Sequence, residues 1–194
     1  MGDYWPKEWT EQELQMMRDC PQHRIYTLTK QPQNLPGFSP FPDNCWVGVS
    51  ATNAGMWATA LMNLSYVEAR VKYISIEPYL GMIIGSELDL MLMKNAGLNW
   101  VIIGAMTCKA SDILHRGDKY PGLTALPWGG KWTLQPKIEW VEEIVRACDK
   151  AGIPVFEKNS LMPLVEQVFG RENYLSPILT PDGDLRQELP TTKV

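Results

Sequence analysis

The residues of this chain that can do chemistry gather where its apolar runs stop. "HRIYTLTK" closes on Thr29 and Lys30, "CWVGVS" on Ser50 with Asn53 three residues on, and "KYISIE" on Glu77. Thr107 follows "NWVIIGA", and "IPVFEK" closes on Glu157 and Lys158. Acids, ammonium groups and hydroxyls brought to one rim would make a pocket for a polar ligand. Glu77 poses the question most sharply. Tyr73, Ile74 and Ile76 before it are strand formers, and Pro78 after it stops further pairing. A carboxylate there needs water or a partner. Any one of these residues reads more simply as a solvated strand end. The recurrence over five strands is what favours a site.

The thiols and histidines offer less. Cys108 follows the fourth apolar run, with His115 seven residues on, a spacing at which a nucleophile and its base can meet in one loop. Chance placement in a long loop is the simpler account. "CPQH", Cys20 to His23, has a metal-like gap but no second pair completes it, and a helix-to-strand turn explains it. Cys45 begins its strand and so lies at the far end of the sheet from Cys108; a six-residue strand spans roughly 20 Å. Cys148 falls on an apolar helix face and reads as core. The four cysteines suit reduced, structural thiols, with no disulfide framework and no metal site. No dinucleotide fingerprint, phosphate loop or G-x-S-x-G elbow is present.

The elements that must position these residues alternate. "WTEQEL" reads as a helix start, with Thr10 as N-cap, Glu13 as its capping-box partner and Trp9 and Leu14 as a staple. After "ATNAG", Trp57, Ala60, Leu61 and Leu64 recur at helical spacing. "SELDLMLMKNAG" is a third helix, with Ser86 as cap and Gly97 as terminator. Pro136 opens a helix with the face Ile138, Val141, Ile144, Val145 and Cys148, ended by Gly152; "LMPLVEQVFG" is the last helix. Residues 106–135 show no period and read as a long loop or lid carrying Trp128 and Trp132. Residues 180–194 read as a turn and a polar tail.

Near-continuous apolar strands alternating with helices predict an α/β fold with a parallel sheet under helical cover. Right-handed crossovers then bring all strand ends to one side. The 194 residues, 45% hydrophobic and 21% charged, suit one domain spanning 1–194. A net charge of −4 and a pI near 5.2 weigh against nucleic-acid binding. No apolar run is long enough for a bilayer and no signal-peptide pattern opens the chain, so a cytoplasmic protein is expected.

In order, "YTLTKQPQNL", "CWVGVSATN", "YISIEPYLG", "NWVIIGA", "AGIPVFEK" and the closing "DGDLRQELP" resemble a phage- and prokaryote-encoded family of uncharacterised function. Its members resemble radical S-adenosylmethionine (SAM) proteins with a partial or complete (β/α) barrel. The resemblance covers nearly the whole chain. It implies a partial TIM-like barrel of parallel strands with outer helices and an open edge. Ser50 and Asn53 would lie near the ribose or methionine of SAM, Glu77 would line the same mouth, and Lys30, Glu157 and Lys158 would face the substrate. "MGDYW" resembles the end of the family's second strand, with Asp3 at the mouth.

Intact relatives carry upstream a three-cysteine loop expected to hold a [4Fe–4S] cluster, and this chain has no such loop. "GAMTCKAS" also lacks the glutamate expected after the fourth strand. The resemblance thus implies a truncated or fragmentary member, with no cofactor of its own and no radical activity by itself. A cluster-free binding module for a nucleotide-like ligand or a partner protein is the other expectation. An incomplete barrel exposes a strand edge near residues 24–29, which implies a homodimer or a missing N-terminal segment to cover it.

Overall fold

Strand-forming runs separated by amphipathic stretches set the architecture of this protein. The computed structural model describes residues 6–83, 87–170 and 176–191. In chain order the elements are α1 (Lys7–Asp19), β1 (Ile25–Thr29), β2 (Cys45–Ser50), α2 (Ala54–Leu64), β3 (Val71–Ile76), α3 (Glu87–Asn95) and β4 (Trp100–Ile103). Then follow β5 (Met106–Cys108), α4 (Ile113–Lys119), β6 (Thr124–Trp128), β7 (Lys131–Gln135), α5 (Ile138–Ala151), β8 (Val155–Glu157) and α6 (Met162–Phe169).

The main sheet has the order β1-β2-β3-β4-β8, with every pair parallel. All five strand ends therefore point the same way, as the alternation predicts. The sheet is open: among the described residues β1 pairs only with β2, and no barrel closes.

Side-chain alternation gives the sheet two different faces. On one, Val47, Val49, Ile74, Val101 and Val155 meet the helices in a single core. Trp57, Ala60, Leu61 and Leu64 of α2, and Val141, Ile144, Val145 and Cys148 of α5, are the buried helical residues, as their spacing predicts. The other face is aromatic. Trp46, Tyr73 and Trp100 are buried there, with Ile102 and Phe156 beside them. Ring centroids lie 5.3 Å apart for Tyr26–Trp46, 5.8 Å for Trp46–Trp100 and 5.9 Å for Trp100–Phe156, all edge-to-face. Gly48 makes room for this layer, since a Cβ there would overlap the Tyr73 ring. The Tyr73 hydroxyl then reaches across β2 and donates to the Thr27 carbonyl at 2.9 Å.

Several sequence expectations need correction. Thr10 is no N-cap: α1 starts at Lys7 after Pro6, and Thr10 sits on its buried face at 1% exposure. The capping box with Glu13 therefore does not form, and Trp9, 55% exposed, is not buried as a staple. A proline at the boundary has already set the helix entry one turn earlier. Residues 106–135 are not a structureless loop. They fold into an antiparallel sheet of order β5-β7-β6 with α4 beside it. The tail is not free either: residues 185–188 run antiparallel beside β8, with Glu157 N–H donating to the Arg186 carbonyl at 2.7 Å and Glu188 N–H to Val155 at 2.9 Å. The Ser86 cap and Asp3 lie outside the described residues. No helix among the described residues is long and apolar enough to cross a membrane.

Candidate functional site

The first wall of the candidate site is built where β1 and β2 end. Ser50 is the last residue of β2, and its pairing with Ser75 holds the β2–β3 register to the rim. Three residues on, Asn53 is the N-cap of α2: its Oδ1 accepts the Met56 N–H at 3.0 Å. That bond occupies the amide oxygen and leaves the side-chain NH2 as a donor. Lys30 follows β1 directly. These three residues line one cleft of about 340 Å³ with Pro32, Met56 and Thr59. The cleft thus combines an ammonium group, a hydroxyl and an amide donor with an apolar floor of proline and methionine. Its volume lies at the small end of the range for small-molecule sites, about 300–1,000 Å³.

The second part lies across β3, β4 and β8. Glu77 finds its partner in Lys158, whose Nζ donates to Oε2 at 2.7 Å. The two residues follow strands that are not neighbours, since β4 runs between them. Gly104, which follows β4, lets the carboxylate pass: a Cβ at that position would lie 3.1 Å from Glu77 Cδ. Gly104 has no positive φ, so space, not backbone conformation, calls for glycine. The Glu77 and Lys158 side chains are 32% and 43% exposed. An exposed pair of this kind contributes on the order of 0–1 kcal/mol, so it answers the strand-end carboxylate without dominating stability.

Glu157 departs from the rest. Its neighbour across the β4–β8 ladder is Ile103, a residue of the helix-side core, so the two share that face and not the aromatic one. It is fully buried, and its Oε2 accepts the Arg186 N–H at 2.9 Å. Its Oε1 has no partner among the described residues. Burial pushes the carboxyl up to about 8, against the lowering effect of the Arg186 N–H and guanidinium; Glu188 and Asp149 add to the rise. The residue holds the C-terminal segment, residues 185–188, to β8. Arg186 completes that anchor: its guanidinium reaches Asp149 Oδ1 at 2.7 Å and Glu188 Oε1 at 2.8 Å. The spacing of Glu157 and Lys158 in sequence already implies opposite faces, because adjacent strand residues point apart.

Thr107 lies in β5, in the second sheet, and so does Cys108. No hydrogen bond joins Cys108 to His115 among the described residues, and burial pushes the thiol up, away from the reactive thiolate. Cys20 and His23 form a turn in which the His23 N–H donates to the Cys20 carbonyl at 3.1 Å. Cys45 and Cys148 are buried, and all four thiols are free. No group of three or more metal-ligating side chains occurs among the described residues. These dispersed thiols do not fit a [4Fe–4S] cluster, which needs several cysteines converging on one site.

Sequence reasoning missed Gly104 and the anchoring of Arg186. A lone glycine after a strand was a usable signal for the first; the second depends on a long-range contact. The family model described as "Protein of unknown function (DUF5131)" matches residues 2–116, more than half of the chain, and spans Lys30, Ser50, Asn53 and Glu77. No curated protein matches, and no solved structure does.

Proposed function

This chain belongs to the DUF5131 family, and from that premise we propose that it is the ligand-binding part of a radical-SAM-like partial barrel. The cleft lined by Lys30, Ser50 and Asn53 takes SAM or a closely related nucleotide-like molecule. Three sequence-predicted site residues sharing one cleft at the C-terminal ends of parallel strands carry this reading. Ligands of open parallel sheets bind at that end. Ser50 and the Asn53 amide are the groups for a ribose or methionine moiety, and Met56 and Pro32 offer apolar surface to a base. The Glu77–Lys158 pair lines the same rim beyond β3. The thiols of this chain do not converge on a cluster, so binding, not radical chemistry, is assigned to the chain by itself.

Isothermal titration with SAM and with S-adenosylhomocysteine tests the reading. Saturable binding is expected, weakened at least tenfold by Ser50→Val and by Lys30→Ala. No binding by the folded protein overturns it. Reconstitution with iron and sulfide is expected to yield no stoichiometric brown cluster; a cluster in stoichiometric amount overturns the claim of no radical activity. The dispersed thiols also favour the second reading, a module whose ligand is a nucleotide unrelated to radical chemistry. ATP binding tighter than SAM in the same titration supports it. The four free cysteines suit a reducing compartment, in keeping with a cytoplasmic protein.

A further inference from the structure

The opposite rim of the main sheet, where the strands begin, carries a feature that the strand-end cleft does not use. Arg24 precedes β1 and Arg70 precedes β3. Ile25 pairs with Cys45 and Trp46 with Val71, so the two arginines flank the start of β2. They are two strand spacings apart at the backbone, about 10 Å, from which two long side chains can close on one anion. Both line a cleft of about 210 Å³ with His23, Asp43, Asn44 and Trp46.

Arg24 is held in place. Its Cζ lies 4.2 Å over the centroid of Trp46, a side chain only 2% exposed and fixed in the aromatic layer. Stacking uses the face of the guanidinium and leaves its in-plane N–H groups free to bind. The cleft wall is rigid as well: Asn44 Nδ2 donates to the carbonyls of Met17, Cys20 and His23 at 2.8, 3.0 and 3.0 Å. Neither arginine has a carboxylate within ion-pair distance among the described residues. Two unpaired guanidiniums on one cleft of a chain with net charge −4 run against the overall balance. Solvated surface charge explains scattered arginines; it does not explain one stacked on a buried tryptophan and sharing a cleft with another.

We infer that this cleft binds the phosphate group of a small phosphomonoester between Arg24 and Arg70. A guanidinium carries five N–H donors, and a phosphomonoester offers three oxygens where a carboxylate offers two. Two forks suit the larger acceptor set. Asp43 on the same rim opposes the anion and limits its affinity.

Phosphorus NMR titration of the full chain with phenyl phosphate, at constant chloride, tests the inference. Saturable binding is expected, weakened at least tenfold by Arg24→Gln and by Arg70→Gln. Asp43→Asn tightens it several-fold, and Lys30→Ala in the strand-end cleft leaves it unchanged. Benzoate at the same concentration competes poorly. Binding that survives both arginine variants, fails to tighten in Asp43→Asn, or disappears in Lys30→Ala overturns the proposal. So does half or more of the bound phenyl phosphate being displaced by benzoate at the same concentration. If Arg24→Gln loses its circular dichroism, Arg24→Lys and the Asp43→Asn arm decide the matter, since the first keeps the charge without the fork and the second removes only the opposing acid.

Discussion

Two glutamates of similar sequence context, each at the end of an apolar run, come to opposite fates in this protein. Glu77 stays near water and pairs with Lys158. Glu157, on the face of β8 that joins the core, is buried with one oxygen unpartnered among the described residues. Its carboxyl rises from 4.5 to about 8, chiefly through burial. The native state therefore binds a proton more tightly than the unfolded chain between those values. Stability is highest below the unfolded value and falls as pH rises through the native one. Unfolding free energies from urea titrations between pH 5 and pH 9 are expected to fall in the wild-type protein, by an amount on the order of a few kcal/mol. In Glu157→Gln that loss should be mostly absent, and the variant should be the more stable protein at pH 9. Parallel pH profiles for the two proteins would contradict the assignment. Strand parity made legible that Glu157 and Lys158 point apart; which of them enters the core was not, because both faces of the sheet are covered. That a C-terminal segment would come to cover Glu157 was not, because Arg186 lies far away in sequence.

At the scale of elements, local chemistry carried most of the information. The five parallel strands and the faces of α2 and α5 stand where apolar runs and helical spacing predict. The failures come where a short-range rule met a competing one. Thr10 satisfies the capping-box pattern, yet Pro6 starts α1 one turn earlier and turns Thr10 into the core. The strands of residues 106–135 are short and interrupted by Pro127 and Gly129–Gly130, so no period shows, and pairing to β7 makes them strands. Asn53 joins an element role to a site role, and the two can be separated. Asn53→Ala removes the α2 cap and is expected to cost about 1 kcal/mol, along with SAM affinity. Asn53→Asp keeps the capping oxygen and loses the NH2 donor. It should retain near-native stability in urea while still losing affinity; retention of both would remove Asn53 from the cleft's binding groups.

At the scale of the whole molecule, the main sheet ends unequally. The β8 edge is covered by residues 185–188, whereas β1 pairs only with β2 among the described residues. Nothing charged and no proline lies within Ile25–Thr29, and Tyr26 and Leu28 are 48% and 54% exposed. Such an edge invites another strand, and a second copy of this chain is the expected partner. Light scattering after gel filtration should give twice the 22.0 kDa chain mass at micromolar concentration. The Ile25 N–H donates to Asn44 of the β2 side, so alternation turns the Leu28 N–H outward, and Leu28→Pro should return the protein to the single-chain mass. In a symmetric antiparallel pairing centred on Thr27, Arg24 would face Lys30, so the dimer should tighten as salt screens that repulsion. A wild-type monomer at high salt would count against the pairing.

The amino-acid sequence by itself determined the elements, their parallel order and the side of the sheet on which Lys30, Ser50, Asn53, Glu77 and Lys158 gather. Periodicity and strand polarity are properties of neighbouring residues, and they survive without knowledge of the rest. Only the tertiary structure decided which of those residues share a cleft, which pair with each other, and that Glu157 leaves them for the core. Those outcomes turn on contacts between segments 80 residues or more apart in two cases, Glu77 with Lys158 and Trp100 with Glu188. No local pattern encodes which distant group will arrive to accept a proton or fill a space.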